Sequence, residues 1–148
     1  MKYTLAVVLA VLIPFSAWAE EVDATPTHDI IRPAGQSDLS EFLWTKRPIV
    51  VFADTEADPR YIEQMELLRS RIEDLDDRDV VVITDTDPEA ESPLRMKLRP
   101  RGFMLVLLDK DGTIYLRKPF PWTVRELGRS IDKMPLRKRE IRERRVQG

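Results

Sequence analysis

The chain has 148 residues, with 24 Lys and Arg against 26 Asp and Glu and a formal net charge of −2. That balance argues against general nucleic-acid binding, which draws on a basic surface. Cysteine is absent, so disulfide staples, thiolate nucleophiles, thiol exchange and thiolate metal sites are all excluded within this sequence.

Residues 1–19, MKYTLAVVLAVLIPFSAWA, place one Lys before an apolar run from Leu5 to Ile13, then Pro14 and the small residues Ala17 and Ala19. This is the pattern of a secretory signal peptide cut after Ala19, with an apolar run too short to span a bilayer. A periplasmic or secreted product without a stable membrane anchor is therefore expected. Loss of Lys2 leaves the remainder one unit more acidic, and its length fits one domain with a modest core.

Residues 20–36 carry Pro26, Pro33 and Gly35 among polar residues and read as a loose leader, with one short strand expected at Asp29–Arg32. Ser37 is placed to cap a short helix bearing Leu39, Phe42 and Leu43, which Arg47-Pro48 would stop. Ile49–Ala53 is a continuous apolar, β-branched run, the signature of a strand buried on both faces. Asp58-Pro59 supplies an N-cap and a first-turn proline, and Ile62, Met65, Leu68, Ile72 and Leu75 then recur at helical spacing over about four turns. Val80–Ile83 is a second buried strand, and strand, helix, strand in that order implies a parallel crossover.

Ser92-Pro93 opens a helical turn carrying Leu94 and Leu98. Phe103–Leu108 forms a third strand, and Asp109-Lys110-Asp111-Gly112 turns it into a fourth at Thr113–Arg117. Thr123 and Glu126 have capping-box spacing ahead of a helix with Val124, Leu127, Ile131 and Met134 on one side, ended by Pro135. From Lys133 onward seven basic residues dominate, and the stretch 135–148 reads as a basic, solvated extension of that last helix. The expected organisation is thus residues 1–19 signal, 20–36 leader, 37–134 domain (28–134 with the first strand) and 135–148 tail. Its class is α/β, with a central mixed sheet of four to five strands, flanking helices and a C-terminal hairpin plus helix.

That order of elements resembles the thioredoxin fold over residues 28–134, and "MKLRPRGFMLVLLDKDGTIYLRKPF" resembles its central segment. "RPIVVFADTEADPRY", "RGFMLVLLDKDGTIYLR" and "IDKMPLRKRE" together resemble an exported bacterial family of thioredoxin-like domains of unknown function. That family is related to the DUDES-type domains of animal extracellular proteins such as equarin. The resemblance implies a thioredoxin-like domain, while two departures remove its chemistry. Asp54–Pro59 stand where a thioredoxin carries Cys-x-x-Cys, and Phe103 stands where it carries a cis-proline, with Pro100 three residues earlier.

Two readings of the site follow. Thr55, Arg60, Gln64, Arg101 and Phe103 fall on one rim and are candidates to contact an envelope protein or peptide, with no cofactor required; Arg60 and Gln64 lie in the "DPRYIEQ" motif of the resemblance. The alternative uses acids that follow the two parallel strands: Asp54, Glu56 and Asp58 after the first, Asp85, Asp87, Glu89 and Glu91 after the second. Oxygen ligands of this kind suit Ca²⁺ or Mg²⁺, and a held cation would activate water for hydrolysis, although Asp and Glu are also common turn and cap residues. Asp109–Ile114 mimics the middle of an EF-hand loop, but Leu107 and Lys118 fall at the ligating ends, so it reads as a hairpin turn. His28 is the only histidine, and no Gly-x-Ser-x-Gly elbow or glycine-rich phosphate loop is present. Trp44, Tyr61 and Trp122 read as packing anchors at element ends.

Overall fold

The computed structural model describes residues 30–148; the expected signal segment, most of the leader, His28 and Asp29 lie outside the described residues. Five strands form one sheet in the order β1-β3-β2-β4-β5: β1 Ile31–Pro33, β2 Arg47–Phe52, β3 Val80–Asp85, β4 Met104–Leu108 and β5 Ile114–Lys118. β1 and β2 both run parallel to β3, while β4 lies antiparallel to β2 and β5 antiparallel to β4. Three parallel strands extended by an antiparallel hairpin, with helices on both faces, make this an α/β thioredoxin-like fold, as the resemblance implies.

The central strands are apolar throughout because both faces are covered, and the period of two splits each strand between two cores. Ile49, Val51, Val80, Val82, Leu105 and Leu107 point to one face. Val50, Phe52, Val81, Ile83, Val106 and Leu108 point to the other. The first face is covered by α1 (Pro59–Ser70), α2 (Ile72–Asp76) and α4 (Val124–Asp132), the second by α3 (Pro93–Leu98) and the turn around Phe42. Pro48 sits inside β2 without cost to the antiparallel ladder, since pairing with β4 begins only at Ile49.

Several local signals act as the sequence implies. Asp58 caps α1 with Pro59 behind it, Ser92 caps α3, and Thr123 and Glu126 form a full capping box on α4. Others differ. Around Ser37 there is only a single 3-10 turn, Ser40–Phe42, because the Ser37 hydroxyl accepts from Leu39 N and Asp38 accepts from Ser40 N; such local bonds compete with a helix. The expected helix through Leu75 is broken at Arg71, whose φ of −140° and ψ of 47° separate α1 from α2. Its buried face runs through Gln64, Met65 and Leu68, and Ile62 is 46% exposed. Tyr61 and Trp122 pack against the first core, while Trp44 is exposed.

The basic tail is a helix of its own, α5 (Pro135–Gln147), rather than a continuation of α4. Pro135 both ends one helix and occupies the first turn of the next. α5 is fixed by charge. Arg47, fully buried at the start of β2, donates to Asp109 (3.2 Å), to the Arg78 carbonyl (3.0 Å) and twice to Glu140 on α5 (3.0 and 3.3 Å). Lys110 joins Glu140 and Asp79, each at 2.8 Å, and buried Arg137 reaches back to Asp132 and Glu140. Burial would raise the Glu140 carboxyl, but hydrogen bonds from Arg47 and Lys110 and their charges outweigh it and hold the group at about 2.

Candidate functional site

β2 and β3 are parallel, so the segments after Phe52 and after Asp85 leave the sheet at the same edge, where open α/β sheets present their ligand sites. Ala53 is buried and its N–H bonds the Asp85 carbonyl at 3.0 Å, pinning the two exits together. The chain then surfaces: Asp54, Thr55, Glu56 and Ala57 are exposed up to the Asp58 cap. Thr55 Oγ1 accepts from Ala57 N (3.0 Å) and the Thr55 carbonyl accepts from Asp58 N (3.3 Å), so the loop is internally braced. Asp54, Thr55, Ala57, Asp58, Pro59 and Arg60 line an open groove there.

Arg60 spans this rim. Its guanidinium donates twice to Asp58 (3.2 and 2.9 Å) and lies 5.7 Å from the centre of the Phe103 ring. The Arg60 hydrogen bond holds the Asp58 carboxyl below the usual carboxylate range and raises the guanidinium in turn. Gly102, in the left-handed region at φ 59°, brings the backbone beneath the guanidinium: a Cβ there would lie 3.8 Å from Arg60 Nη2. Arg101 beside it is exposed.

Of the five expected contact residues, Thr55, Arg60 and Arg101 are on the surface of this rim, and Gln64 and Phe103 are not. Phe103 is fully buried in the first core and offers only its ring to Arg60. Gln64 is fully buried as well, and its amide is consumed by the backbone of Trp122, donating to the carbonyl and accepting from the N–H, each at 2.9 Å. It ties α1 to the segment before α4. The one local sign of such a role, not used in placing it on the rim, is that Gln64 stands beside Met65 of the apolar stripe.

The acids do not converge. Asp85 turns inward, 6% exposed, and is bound by Arg95 Nε (2.8 Å) and by the Ser92 hydroxyl. Arg95 also donates to the carbonyls of Ala53 (2.6 Å) and Asp85 (3.1 Å) and lies 5.4 Å from the Phe52 ring centre. Asp85 thereby closes the edge from inside, and its oxygens are committed to protein donors. Asp58 is committed to Arg60, whereas Asp54, Glu56, Asp87, Glu89 and Glu91 stand apart in solvent. Among the described residues no three Asp, Glu, His or Cys side chains are grouped to hold a metal ion. The Asp85–Ser92–Arg95 cluster was hidden in the sequence, where Ser92 is visible as a cap and Arg95 as an ordinary surface residue of a short helix.

With this geometry in hand, residues 38–140 match the family described as Domain of unknown function (DUF4174). The chain belongs to the DUF4174 family. Among solved structures, this DUF4174 chain is similar to an uncharacterized thioredoxin-like protein from Clostridium perfringens, at 15% identity and a TM-score of 0.48, over 80% of this chain and 91% of that one. It is also similar to StoA from Bacillus subtilis, at 14% identity and a TM-score of 0.39, over 58% of this chain and 82% of that one. No curated protein matches it. The DUF4174 match begins at Asp38 and ends at Glu140, so it takes in both Arg47 of β2 and the α5 carboxylate that holds it.

Proposed function

We propose that this DUF4174 domain is an exported, non-catalytic binding module of the cell envelope, and that its contact surface is the rim formed by Asp54–Arg60 and Arg101. The observation that carries this reading is the state of the turn opening α1. In a thioredoxin-like fold that turn is the reactive position, and here it is exposed, braced by its own hydrogen bonds and free of cysteine. A scaffold that keeps a rigid, solvent-facing edge without a nucleophile is suited to recognition rather than turnover. Export rests on the signal pattern of residues 1–19.

A partner with exposed acids opposite Arg101 and polar groups opposite Thr55 would fit the surface, Arg60 being already held flat against Phe103 and Asp58. A photo-crosslinking residue at Thr55, compared with one at Glu73 on α2, tests the surface in intact cells. The expected result is a discrete adduct from position 55 alone, lost in the R60A/R101A variant. Identical adducts from both positions, or none from position 55, would remove this surface from consideration. Fractionation of the tagged protein checks export separately, with a cytoplasmic location counting against it.

A further inference from the structure

The edge of the sheet opposite the rim holds a second feature, independent of the binding surface proposed above. There the segment 38–46 folds across the start of β2 and the β4–β5 turn, tied down by a 2.7 Å bond from Trp44 N to the Lys110 carbonyl, and walls a cavity of about 370 Å³ that opens to solvent. That volume falls within the roughly 300–1,000 Å³ of small-molecule sites. Its apolar wall backs onto Leu39, Phe42 and Leu108 of the second core, which are buried, and is completed by exposed Leu43.

The charges lining the cavity are unevenly matched. Asp109 accepts from Arg47 and from the backbone of Lys110, and Lys110 is held between Asp79 and Glu140. Asp38 accepts from both the hydroxyl and the N–H of Ser40, which lower its carboxyl, with Lys97 adding a smaller contribution. Half-buried Lys46 makes no side-chain hydrogen bond or ion pair among the described residues, and exposed Lys97 acts on Asp38 through its charge. With Asp38 set against the two ammonium groups of Lys46 and Lys97, the lining keeps a surplus of one positive charge, and an apolar wall beside it is complementary to a molecule with a hydrocarbon body and one negative charge.

We propose that this cavity binds a small amphipathic organic anion, a medium-chain monocarboxylate, with its chain against Leu43 and the edges of Leu39 and Phe42 and its carboxylate met by Lys46 and Lys97. Both ends contribute: the body leaves water, and the charge-assisted hydrogen bonds fix its direction. Two non-glycine residues of this segment, Leu39 at φ 70° and Trp44 at φ 64°, adopt the left-handed region.

Decanoate below its micellar concentration is the probe, read by amide chemical-shift changes in the ¹⁵N-labelled protein. The expected result is a saturable set of shifts at Leu39, Leu43 and Gly112, with affinity reduced at least tenfold in the K46Q/K97Q variant. Decanol, the same chain without charge, binds at least tenfold more weakly, and acetate, the charge without a chain, causes no shifts there. Shifts that are absent or scattered over the surface, an unchanged affinity in K46Q/K97Q, or decanol equal to decanoate would each overturn the proposal. Neither amine makes a side-chain hydrogen bond or ion pair among the described residues, and an unchanged spectrum of the variant away from the cavity verifies that it is folded.

Discussion

Arg47 and Glu140 are 93 residues apart in sequence and joined by two hydrogen bonds of 3.0 and 3.3 Å, which lock α5 onto the first residue of β2. Because Arg47 is fully buried, its charge depends on that carboxylate, and loss of the partner leaves a desolvated cation incompletely matched. Glu140→Gln is expected to destabilise the protein by about 2 kcal/mol at pH 7 in urea unfolding. The pH dependence has a definite sign. The folded carboxyl lies at about 2, below its ordinary value of 4.5, so its contribution is complete above about pH 5 and drains away as the pH falls toward 2. Asp132, whose carboxyl is raised by burial but lowered further by Arg78, loses stability in the same direction in both proteins. The gap between wild type and E140Q therefore isolates Glu140: it should be widest near neutrality and narrow steadily through the acid limb. A gap independent of pH would show that the amide, not the charge, is what matters.

Gln64 makes a different kind of prediction, since no charge is involved. Its amide satisfies both polar backbone groups of Trp122 inside the protein. Gln64→Leu has suitable volume but leaves a partly buried N–H and carbonyl unpaired, at a cost of about 1–2 kcal/mol. Thermal unfolding measures the loss. Hydrogen exchange should show the Trp122 amide losing protection selectively, which general loosening of α1 would not produce.

At the rim edge, Asp85→Asn removes the carboxylate from the buried Arg95 guanidinium while keeping its shape. Breaking a buried pair on one side costs about 3–5 kcal/mol, and the remaining carbonyl bonds to Ala53 and Asp85 place the expectation at the lower end, about 3 kcal/mol. The double variant D85N/R95M, which removes the cation as well, should recover part of that loss. If D85N proved neutral in urea unfolding, Asp85 would be a surface acid of the kind that the acidic-site reading required.

The parts of this fold that were legible in the sequence are those governed by nearest neighbours. Ile49–Phe52, Val80–Ile83 and Leu105–Leu108 announce buried strands by composition alone, and Asp58, Ser92 and Thr123 announce helix starts because a cap acts within three residues. What stayed hidden depends on distant chain. Arg47 before Pro48 has the local look of a helix stop, and only Asp109 and Glu140 make it a buried strand residue. Gln64 and Phe103 occupy positions that local pattern assigns to a rim, yet Trp122 and the first core draw them inside. The row of acids after the two parallel strands was correctly placed at one edge, but sequence carries no sign of Arg95 reaching across to remove Asp85 from it.

The same distinction sets where the folded unit ends. Local pattern places a boundary at Pro135, while Glu140 and Arg137 bind α5 to β2, α4 and the β4–β5 turn. Two truncations separate these views. Ending the chain after Ile141 keeps Glu140 and removes only exposed residues 142–148, and should cost under about 1 kcal/mol. Ending it after Met134 strips the carboxylate from Arg47 and Lys110, and should cost about 3–5 kcal/mol, a large part of the roughly 5–15 kcal/mol that domains of this size possess. Urea midpoints with equal slopes provide the comparison. If removal of residues 135–148 shifted the midpoint no further than removal of 142–148, the helix would be an appendage; a large shift confined to the longer deletion makes α5 part of the cooperative unit, held there by Glu140 and Arg137.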